Sequence, residues 1–450
     1  MKLEVDSKQA KHTSIVVGLG KTGVSCARYL VGLGDRVIVT DTRERPPGLA
    51  ELRRLQPDIE TRLGGFDEAV LGLADRLVIS PGVSLREPFI EAALRRNVSV
   101  TGDISFFAQE AKAPYVCITG SNGKSTVTTL LAAMMRACGR KVLAGGNLGV
   151  PALDLLRQPV PDFYVLELSS FQLECTVGLS SAAAAVLNVS ADHIDRHGGL
   201  EAYAEAKSRI YDSCGIAVYN RDDPIVVDMA KNNPASISFG HDSPPVGQYG
   251  VINRRGTVWM ARGQRLLAPV NSLKIYGNHN VANVLAALAL GDAIGLERDA
   301  MIEAAQAFRG LPHRTQWVSD AGSLSWINDS KGTNVGASVA AIESVRGKVV
   351  LIAGGDGKKA DFAPLAKAMR RRGRAAVLLG KDARRLDEIL QPCGPTRIVA
   401  NMGEAVSAAM ELAQNGDTVL LSPACSSLDM YNNYEARGEA FVKAIKRCAA

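Results

Sequence analysis

Short runs of β-branched residues alternate with amphipathic segments along the whole chain. In the first hundred residues the runs are SIVVGLG, RVIVTD and RLVISPG, and GVSCARYLVGLG and GLAELRRL lie between them. This alternation is typical of βαβ units on parallel sheets. It resumes after Pro114 and again after GLPHR, and 450 residues exceed what one hydrophobic core normally supports. The sequence therefore predicts an α/β protein with domains at 1–112, 113–312 and 313–450.

Composition narrows the class of protein. Hydrophobic residues make up 46% and charged residues 22%, as in ordinary soluble globular proteins. The net charge is +6, and the densest basic run, RRRGR at 370–374, indicates a solvated helix end more than a nucleic-acid surface. Eight cysteines without C-x-x-C pairs indicate reduced thiols. With no secretory signal and no spanning apolar stretch, we expect a cytoplasmic protein with neither a nucleic-acid nor a membrane partner.

The segment GLGKTG at 18–23 matches the dinucleotide fingerprint G-x-G-x-x-G. Gly18 and Gly20 permit a tight turn beside a pyrophosphate, and Asp41 ends the second strand, where an acidic residue would bind ribose. On its own this pattern indicates NAD. The glycines could equally serve only the turn, or hold the diphosphate of another nucleotide conjugate. A second nucleotide loop in the chain favours the other conjugate.

That second loop, TGSNGKST at 119–126, resembles a phosphate loop with two residues missing. Only two residues separate Gly120 from Gly123, where four are usual. A strand precedes the loop and a helix follows it, so backbone N–H groups converge on an anion. Lys124 would bridge the β- and γ-phosphates, and Ser125 would bind Mg²⁺. A solvated Gly-Ser turn explains this context poorly.

Two further segments supply candidate metal ligands. Glu167 interrupts the apolar strand FYVLELSS, where a bare carboxylate would be costly without a cation. A salt-bridged glutamate is the less favoured alternative. The segment LNVSADHIDRHGG at 187–199 packs two aspartates and two histidines into six positions. In isolation this is an Asp-capped helix start, but beside an ATP site His193 becomes a candidate for a second cation. Lys207, taken alone, is one more exposed helix lysine.

Taken together, these segments resemble the Mur ligase family, the ATP-dependent amide ligases of peptidoglycan precursor synthesis. TGSNGKST is that family's form of the phosphate loop. Within the family, the sequence looks like the branch that adds D-glutamate to UDP-N-acetylmuramoyl-L-alanine. The matching stretches run from residue 18 to about 438 and comprise GLGKTG, DTR, SPG, GGNLGVPAL, ELSSFQLE, LNVSADHIDRH, GNHNVANVLAALAL, LPHR, NDSKGTNVGA, GGDGKKADF and LSPACSSLDMYNNYEARG.

The resemblance implies a Rossmann-like first domain, a central phosphate-loop ATPase domain with a mostly parallel sheet, and a Rossmann-like third domain. It also implies an acyl-phosphate intermediate, with ADP and phosphate as products. The first domain would hold the UDP end of the substrate, and GGNLG its muramoyl-alanine portion. The substrate residues so implied are Lys21, Thr22, Asp41, Thr42, Arg43, Gly82 and Asn147.

The resemblance places ATP and two Mg²⁺ ions in the central domain. One metal would lie on Ser125 and Glu167, and the other on His193 and Lys207, with Lys207 as a carbamate. Lys124 and Lys331 would neutralise charge as the phosphoryl group moves. The implied ATP residues are Gly120, Asn122, Gly123, Lys124, Ser125, Thr126, Asn280, Asn283, Arg314 and Asp329.

The third domain would bind D-glutamate and close over ATP. The implied pocket residues are Thr333, Lys358, Ser427, Leu428 and Tyr434. Two positions depart from the family's usual residues, alanine at Gly332 and phenylalanine at Tyr434. We expect the glycine to loosen its loop, and neither change removes a charge. A monomer is expected.

Three alternatives remain. An NAD-dependent oxidoreductase would leave Lys124, Ser125 and Glu167 without a purpose. A GTPase-like switch rests on NRDD at 220–223, in which the lysine of the guanine-reading motif is replaced. A sibling ligase with another amino acid or a folate is a closer rival, and GLGKTG with LSPACSSLDMY favours D-glutamate over it.

Overall fold

The structure is a computed structural model that describes residues 11–190, 194–357 and 360–448, without the side chains of 194, 195 and 322. It forms two compact units. One contains residues up to 252 with 260–267 and 283–302, and the other contains 253–259, 268–282 and the chain from 303 onward. Three sheets carry the strands.

The first sheet is parallel throughout, in the order β3-β2-β1-β4-β5. The strand order reverses between β1 and β4, and ligands of open α/β sheets bind at such a switch point. GLGKTG begins at the carboxyl end of β1. The elements are β1 (Thr13–Val17), α1 (Lys21–Leu33), β2 (Arg36–Asp41), α2 (Leu49–Leu55), β3 (Glu60–Leu63), a 3₁₀ helix (Glu68–Leu73), β4 (Arg76–Ile79), α3 (Pro88–Arg95), β5 (Ser99–Gly102) and α4 (Asp103–Glu110).

The central sheet has nine strands. Its first elements are β6 (Tyr115–Thr119), α5 (Lys124–Ala137), β7 (Val142–Gly146), α6 (Ala152–Leu155), β8 (Phe163–Glu167), α7 (Ser170–Glu174), β9 (Ala183–Val186), α8 (Ile194–His197), α9 (Leu200–Ser208), a 3₁₀ helix (Arg209–Tyr211), β10 (Ile216–Asn220), α10 (Pro224–Ala230) and β11 (Ser236–Phe239). They are followed by β12 (Tyr249–Arg254), β13 (Thr257–Arg262), β14 (Arg265–Pro269), a 3₁₀ helix (Val270–Ser272), α11 (Asn278–Ala293) and α12 (Arg298–Ala307).

The central order, β14-β13-β12-β11-β10-β9-β6-β8-β7, places β6 between β9 and β8. Both pairings of β6 are parallel, and Ile118 pairs with Glu167 in the register of β6 and β8. All five residues of β6 are buried. The phosphate loop and Glu167 therefore emerge side by side at one edge of the sheet.

The third sheet has the order β15-β16-β20-β17-β18-β19, with an antiparallel edge pair, β15 and β16, on an otherwise parallel sheet. Its elements are β15 (Gln316–Ser319), a 3₁₀ helix (Ala321–Ser323), β16 (Ser325–Asn328), α13 (Val335–Ser344), β17 (Val349–Gly354), α14 (Ala363–Arg372), β18 (Gly373–Leu379), α15 (Ala383–Leu390), a 3₁₀ helix (Gln391–Cys393), β19 (Thr396–Ile398), α16 (Met402–Leu412), β20 (Thr418–Leu421) and α17 (Tyr434–Cys448).

The predicted α/β class with mostly parallel sheets is confirmed. The basic run at 370–374 does fall at a helix end, since α14 ends at Arg372. The boundaries at 112 and 312 stay a prediction. Strands β12 to β14, in which buried and exposed residues are mixed, were not predicted. Within the described ranges, no helix has both the length and the apolar character to cross a bilayer.

Candidate active site

The compact phosphate loop folds into a cradle at the start of α5. Gly120 and Gly123 have φ values of +153° and +84°, which side chains rarely adopt. Lys124 is the first residue of α5, and its Nζ donates to the carbonyl oxygens of Gly120 at 2.8 Å and Ser121 at 3.0 Å. The lysine ammonium thus lies over the loop beside a helix N-terminus, as an anion site requires. Ser125 and Thr126 follow in the first helical turn and are half-buried.

A side chain from another strand connection supports the shortened loop. Asn188 accepts from the backbone N–H of Asn122 at 2.8 Å and donates to its carbonyl oxygen at 3.1 Å. Ser121 is held by Ser190 N–H, which donates to Ser121 Oγ at 2.9 Å, and by Tyr203, whose hydroxyl lies 3.2 Å from that oxygen. The sequence interpretation missed Asn188 and Tyr203, and only their presence after strand β9 and in α9 could have pointed to them.

Glu167 fits a metal ligand by its chemistry. It is 2% exposed, and its Oε1 accepts a 2.7 Å hydrogen bond from Asn147 Nδ2. Its Oε2 is buried and has no hydrogen-bond partner among the described residues. A buried carboxylate oxygen without a partner is costly, and Mg²⁺ prefers oxygen ligands of this kind. One carboxylate oxygen, Oε2, is therefore available to bind a cation, while Oε1 is held by Asn147.

Lys207 is not the exposed helix lysine that its local sequence suggests. It is 1% exposed, and its Nζ donates to Gly120 O at 2.9 Å and to Thr119 Oγ1 at 3.4 Å. The same Nζ lies 4.4 Å from the centre of the Tyr203 ring. The Lys207 side chain therefore contacts the phosphate loop from helix α9. His193, its predicted partner on the second metal, lies outside the described residues.

The two predicted adenine-side asparagines lie on one helix, α11, and both are at least nine-tenths buried. Asn280 Nδ2 donates to Tyr276 O at 2.8 Å. Asn283 Oδ1 lies against Gly123, where an added Cβ would collide with it. The phosphate loop and the Asn283 side chain are therefore fitted to each other.

All seven predicted UDP-substrate residues line one cavity of about 400 Å³ at the switch point of the first sheet. They come from the ends of β1, β2, β4 and β7. The further lining residues are Gly18, Gly20, Phe66, Ser80, Pro81, Val83, Gly146, Gly149, Pro151 and Gln172. Segments separated by more than a hundred residues thus meet in one space.

Asp41 organises the wall of this cavity. Its carboxylate accepts from Leu19 N–H at 2.8 Å and from Arg43 at Nε, Nη2 and the backbone N–H. Burial opposes ionisation, but these hydrogen bonds outweigh it and lower the pKa of Asp41 to about 2. Both oxygens already have donors, so Asp41 holds Arg43 and the first loop in place.

Gln172 is a cavity residue that the sequence interpretation did not single out. It is the third residue of α7, whose capping box pairs Ser169 with Gln172. Its Nε2 donates to Asp103 Oδ2 at 3.0 Å. Asp103 is fully enclosed, and burial raises its pKa to about 6 despite that hydrogen bond. The S-x-x-Q spacing in SSFQ was the available signal.

A second cavity of about 320 Å³ lies in the third domain. Thr333, Ser427, Leu428 and Tyr434 line it together with Asp356, Gly357, Ser426, Asn433 and Glu435. Four of the five residues predicted for D-glutamate therefore share one space. The fifth, Lys358, lies outside the described residues. The Nζ of Lys331 lies 5.2 Å from the centre of the Tyr434 ring.

Asp329 lies at the carboxyl end of β16. Ser422 Oγ donates to it at 2.6 Å and Thr315 N–H at 3.0 Å. Burial raises its pKa to about 6. A Cβ on Gly332 would lie 2.5 Å from Asp329 Oδ2, so in this structure the glycine permits tight packing. Arg314 is exposed beside this carboxylate.

Comparison with known families finds three domains of one family at successive parts of the chain. Residues 12–102 match the family described as "Mur ligase MurD-like, N-terminal domain". Residues 118–291 match the Mur ligase middle domain, and residues 313–425 match the "Mur ligase, glutamate ligase domain".

Relatives with curated names match over nearly the whole length. A UDP-N-acetylmuramoylalanine-D-glutamate ligase of Nitrosococcus oceani is 54% identical over 440 residues, 97% of each chain. The enzyme of the same name from Pseudomonas aeruginosa is 50% identical over 442 residues, 97% of this chain and 98% of its own. A solved UDP-N-acetylmuramoyl-L-alanyl-D-glutamate-2,6-diaminopimelate ligase shares the fold, with a TM-score of 0.62 at 19% identity over 99% of this chain and 94% of that one. The chain belongs to the Mur ligase family.

Proposed function

We propose that the protein is the ATP-dependent ligase that joins the amine of D-glutamate to the L-alanyl carboxylate of UDP-N-acetylmuramoyl-L-alanine in peptidoglycan precursor synthesis. The observation that carries the proposal is the single cavity in which all seven predicted UDP-substrate residues meet. Relatives 54% and 50% identical over nearly the full length bear the name of this activity.

The substrate's diphosphate would lie at the N-terminus of α1. Lys21 and Thr22 are the first two residues of that helix, whose free N–H groups and positive end favour an anion. Arg43, held by Asp41, would add a second cation to the cavity. Asn147, which is hydrogen-bonded to Glu167, would direct the muramoyl-alanine end toward the phosphate loop.

The first chemical step needs two anions to approach each other. The alanyl carboxylate oxygen attacks the γ-phosphorus of ATP, the bond to the bridging oxygen of ADP breaks, and an acyl phosphate forms. Lys124, over the loop, and Lys331 would reduce the repulsion. Mg²⁺, when bound, would neutralise charge on the phosphate groups. Ser125 and Glu167 would hold one ion, and the free Glu167 Oε2 supports that assignment.

In the second step the D-glutamate amine attacks the acyl carbon, inorganic phosphate leaves, and the amine releases a proton. Thr333, Ser427, Leu428, Tyr434 and Lys358 would hold the amino acid. The cavity lined by the first four supports this assignment.

We further propose that Lys207 is carbamylated and that the carbamate, with His193, binds a second Mg²⁺. Burial of the Lys207 side chain beside Gly120 O supports the assignment, because a carbamate replaces a buried cation with oxygen ligands. Activity in CO₂-free buffer that rises on adding bicarbonate would agree with it. A ¹³C-bicarbonate NMR signal absent from wild type and from Lys207→Ala alike would contradict it.

We also propose that the enzyme acts in the cytoplasm as a monomer. All eight cysteines are free in the structure, in keeping with a reducing compartment. Light scattering of the purified protein tests the oligomeric state, and a dimer mass would overturn it.

The decisive experiment measures phosphate release with ATP and Mg²⁺ while the two other substrates are varied. We expect release only with UDP-N-acetylmuramoyl-L-alanine and D-glutamate together, and a product with the summed mass minus water. Equal rates with L-glutamate, L-alanine or L-lysine would favour a sibling ligase. Release independent of any amino acid would overturn the proposal.

A further inference from the structure

Two arginines connect the turn at residues 80–86, part of which lines the proposed substrate cavity, to the segment that follows His193. Arg196, in α8, donates from Nη2 to the carbonyl oxygen of Val83 at 2.5 Å. Arg86 donates in the opposite direction, from Nη2 to the carbonyl oxygen of His197 at 2.6 Å. We call Arg86 and Arg196 the arginine pair. Their bonds link segments 113 and 111 residues apart, so they join the first sheet's loops to the central sheet's loops at one place.

Both guanidinium groups are confined by their surroundings. The Arg196 guanidinium carbon lies 3.8 Å from the centre of the Phe171 ring, a close cation–π contact. Arg86 lies against Gly198, which has φ +81° and whose added Cβ would lie 2.5 Å from Arg86 Nη1. The backbone at Gly198 is therefore shaped to admit the arginine.

One end of the connection is a wall of the proposed UDP-substrate cavity. Val83 and the three residues before it line that cavity. Val83 N–H donates to Ser80 O at 2.9 Å, and the Val83 side chain packs on Gly18 of the first loop. A ligand that orders this turn therefore also fixes the carbonyl that Arg196 binds.

The other end reaches the phosphate loop through a row of packed rings. The His197 ring stacks on Phe171, with centroids 5.2 Å apart, and lies 5.1 Å from the Tyr203 ring. Ser170 Oγ lies 3.0 Å from His197 Nε2. The Tyr203 hydroxyl lies 3.2 Å from Ser121 Oγ, inside the phosphate loop. Packed groups thus form a continuous connection from His197 to the loop.

We propose that the arginine pair consists of positioning residues that couple occupancy of the UDP-substrate cavity to nucleotide binding at the phosphate loop. Neither side chain lines the substrate cavity, so the pair acts through Val83 and His197. The inference rests on the proposed UDP-substrate and phosphate sites. Coupling of this kind is reciprocal, because each ligand changes the affinity of the other by the same factor.

The experiment measures, by calorimetry, the dissociation constant of AMP-PNP with Mg²⁺, with and without saturating UDP-N-acetylmuramoyl-L-alanine. In wild type we expect the UDP substrate to tighten AMP-PNP at least about fivefold, the lower end of typical allosteric coupling. In Arg86→Ala and Arg196→Ala the ratio should fall to near one, while each ligand alone binds within about threefold of wild type. Arg86→Lys should restore part of the ratio, since an ammonium can still donate to His197 O.

Arg96→Ala is the matched control. Its guanidinium also donates to a backbone carbonyl, that of Glu68 at 3.1 Å. Both of these residues belong to the segment that forms the first sheet, so the bond does not reach the central sheet. It should keep the wild-type ratio. A ratio retained in both alanine variants, lost equally in Arg96→Ala, or equal to one in wild type overturns the coupling proposal. If wild type fails to bind the UDP substrate, the cavity assignment fails. If an alanine variant does not fold, by circular dichroism, Arg86→Gln and Arg196→Gln decide by the same criterion.

Discussion

Asn147 binds Glu167 twice, through its side-chain amide at 2.7 Å and through its backbone N–H, which donates to Glu167 O at 2.8 Å. Asn147 lines the proposed substrate cavity, and the other oxygen of Glu167 is buried without a hydrogen-bond partner among the described residues. The pairing of β7 with β8, in which Gly146 faces Glu167, sets this contact. Asn147 therefore connects the proposed substrate cavity to the proposed metal carboxylate.

Glu167→Gln should lower the rate of phosphate release at least about 100-fold, because even changes to residues that only support a metal's ligands cost up to about 100-fold. The amide keeps the shape and can still accept from Asn147, but it removes the anionic oxygen. Calorimetry should show that the rise in melting temperature caused by Mg²⁺ with AMP-PNP is much smaller in this variant than in wild type. Glu205→Gln, on the exposed face of α9, should leave both quantities unchanged. Near-normal turnover of Glu167→Gln would contradict the metal role.

Gly123→Ala should raise the KM for ATP about tenfold or more. The added Cβ meets Asn283 Oδ1 at a backbone φ of +84°, so the loop must move. Gly139→Ala is a matched control, because φ is +73° and no atom lies within 4 Å of the added Cβ. Both variants should lose about 1 kcal/mol of stability from the left-handed backbone. Only Gly123→Ala should lose ATP affinity, and equal KM values in the two would argue against this account of the loop.

Asp103→Asn should stabilise the protein at neutral pH. Burial raises the folded-state pKa of Asp103 to about 6, above the usual unfolded value, so the native protein holds more protons between about pH 4 and 6. Its contribution to stability is therefore present below pH 4 and is lost as pH rises through 6. At pH 7 the variant should be more stable by up to about 3 kcal/mol, since one pKa unit is about 1.4 kcal/mol.

Urea unfolding at pH 4, 5, 6 and 7 measures this difference, which should grow over that range. An asparagine oxygen can still accept from Gln172, so the cavity wall is preserved. Asp58→Asn, on the exposed surface, should give a constant difference near zero. A variant that is less stable at pH 7 would mean that the carboxylate is held ionised.

Gly332→Ala should destabilise the third domain by about 1 to 3 kcal/mol, the usual cost of overpacking. The Cβ would lie 2.5 Å from Asp329 Oδ2 and 2.7 Å from Ser422 Oγ, which are hydrogen-bonded to each other. Gly336→Ala, exposed in α13, should instead gain up to about 1 kcal/mol from helix propensity. Thermal unfolding of the two variants should therefore shift in opposite directions, and a stabilised Gly332→Ala would show that the loop has room.

The strongest local patterns predicted the fold well. Apolar periodicity and the flanking loops predict helices at about 125–138 and 280–294, and the structure has them at Lys124–Ala137 and Asn278–Ala293. The phosphate loop could also be predicted from the sequence, since its proposed functional residues are consecutive. Substrate residues from distant segments were gathered by the resemblance alone.

Contacts between distant segments could not be predicted. Asn188 supports a loop 66 residues away, and Asp103 meets Gln172 across 69. Burial of Lys207 depends on the packing of α9 against the loop, which α9's own sequence does not encode. The tight packing at Gly332 likewise depends on Ser422, which lies about ninety residues away in the sequence, and the expected loosening of the loop stays a prediction.

Five residues that line the proposed substrate cavity, Gly18, Gly20, Gly82, Gly146 and Gly149, have no side chain, so they can offer only main-chain atoms to a ligand. At two of them an added Cβ would collide inside the protein, 2.8 Å from Val83 at Gly18 and 2.5 Å from Glu167 O at Gly146. At these two positions a bacterium could not readily block an inhibitor by enlarging the residue without harming its own enzyme. Compounds that hydrogen-bond to the main chain at Gly18 and Gly146 should therefore meet resistance mutations more slowly than compounds that depend on Arg43 or Phe66.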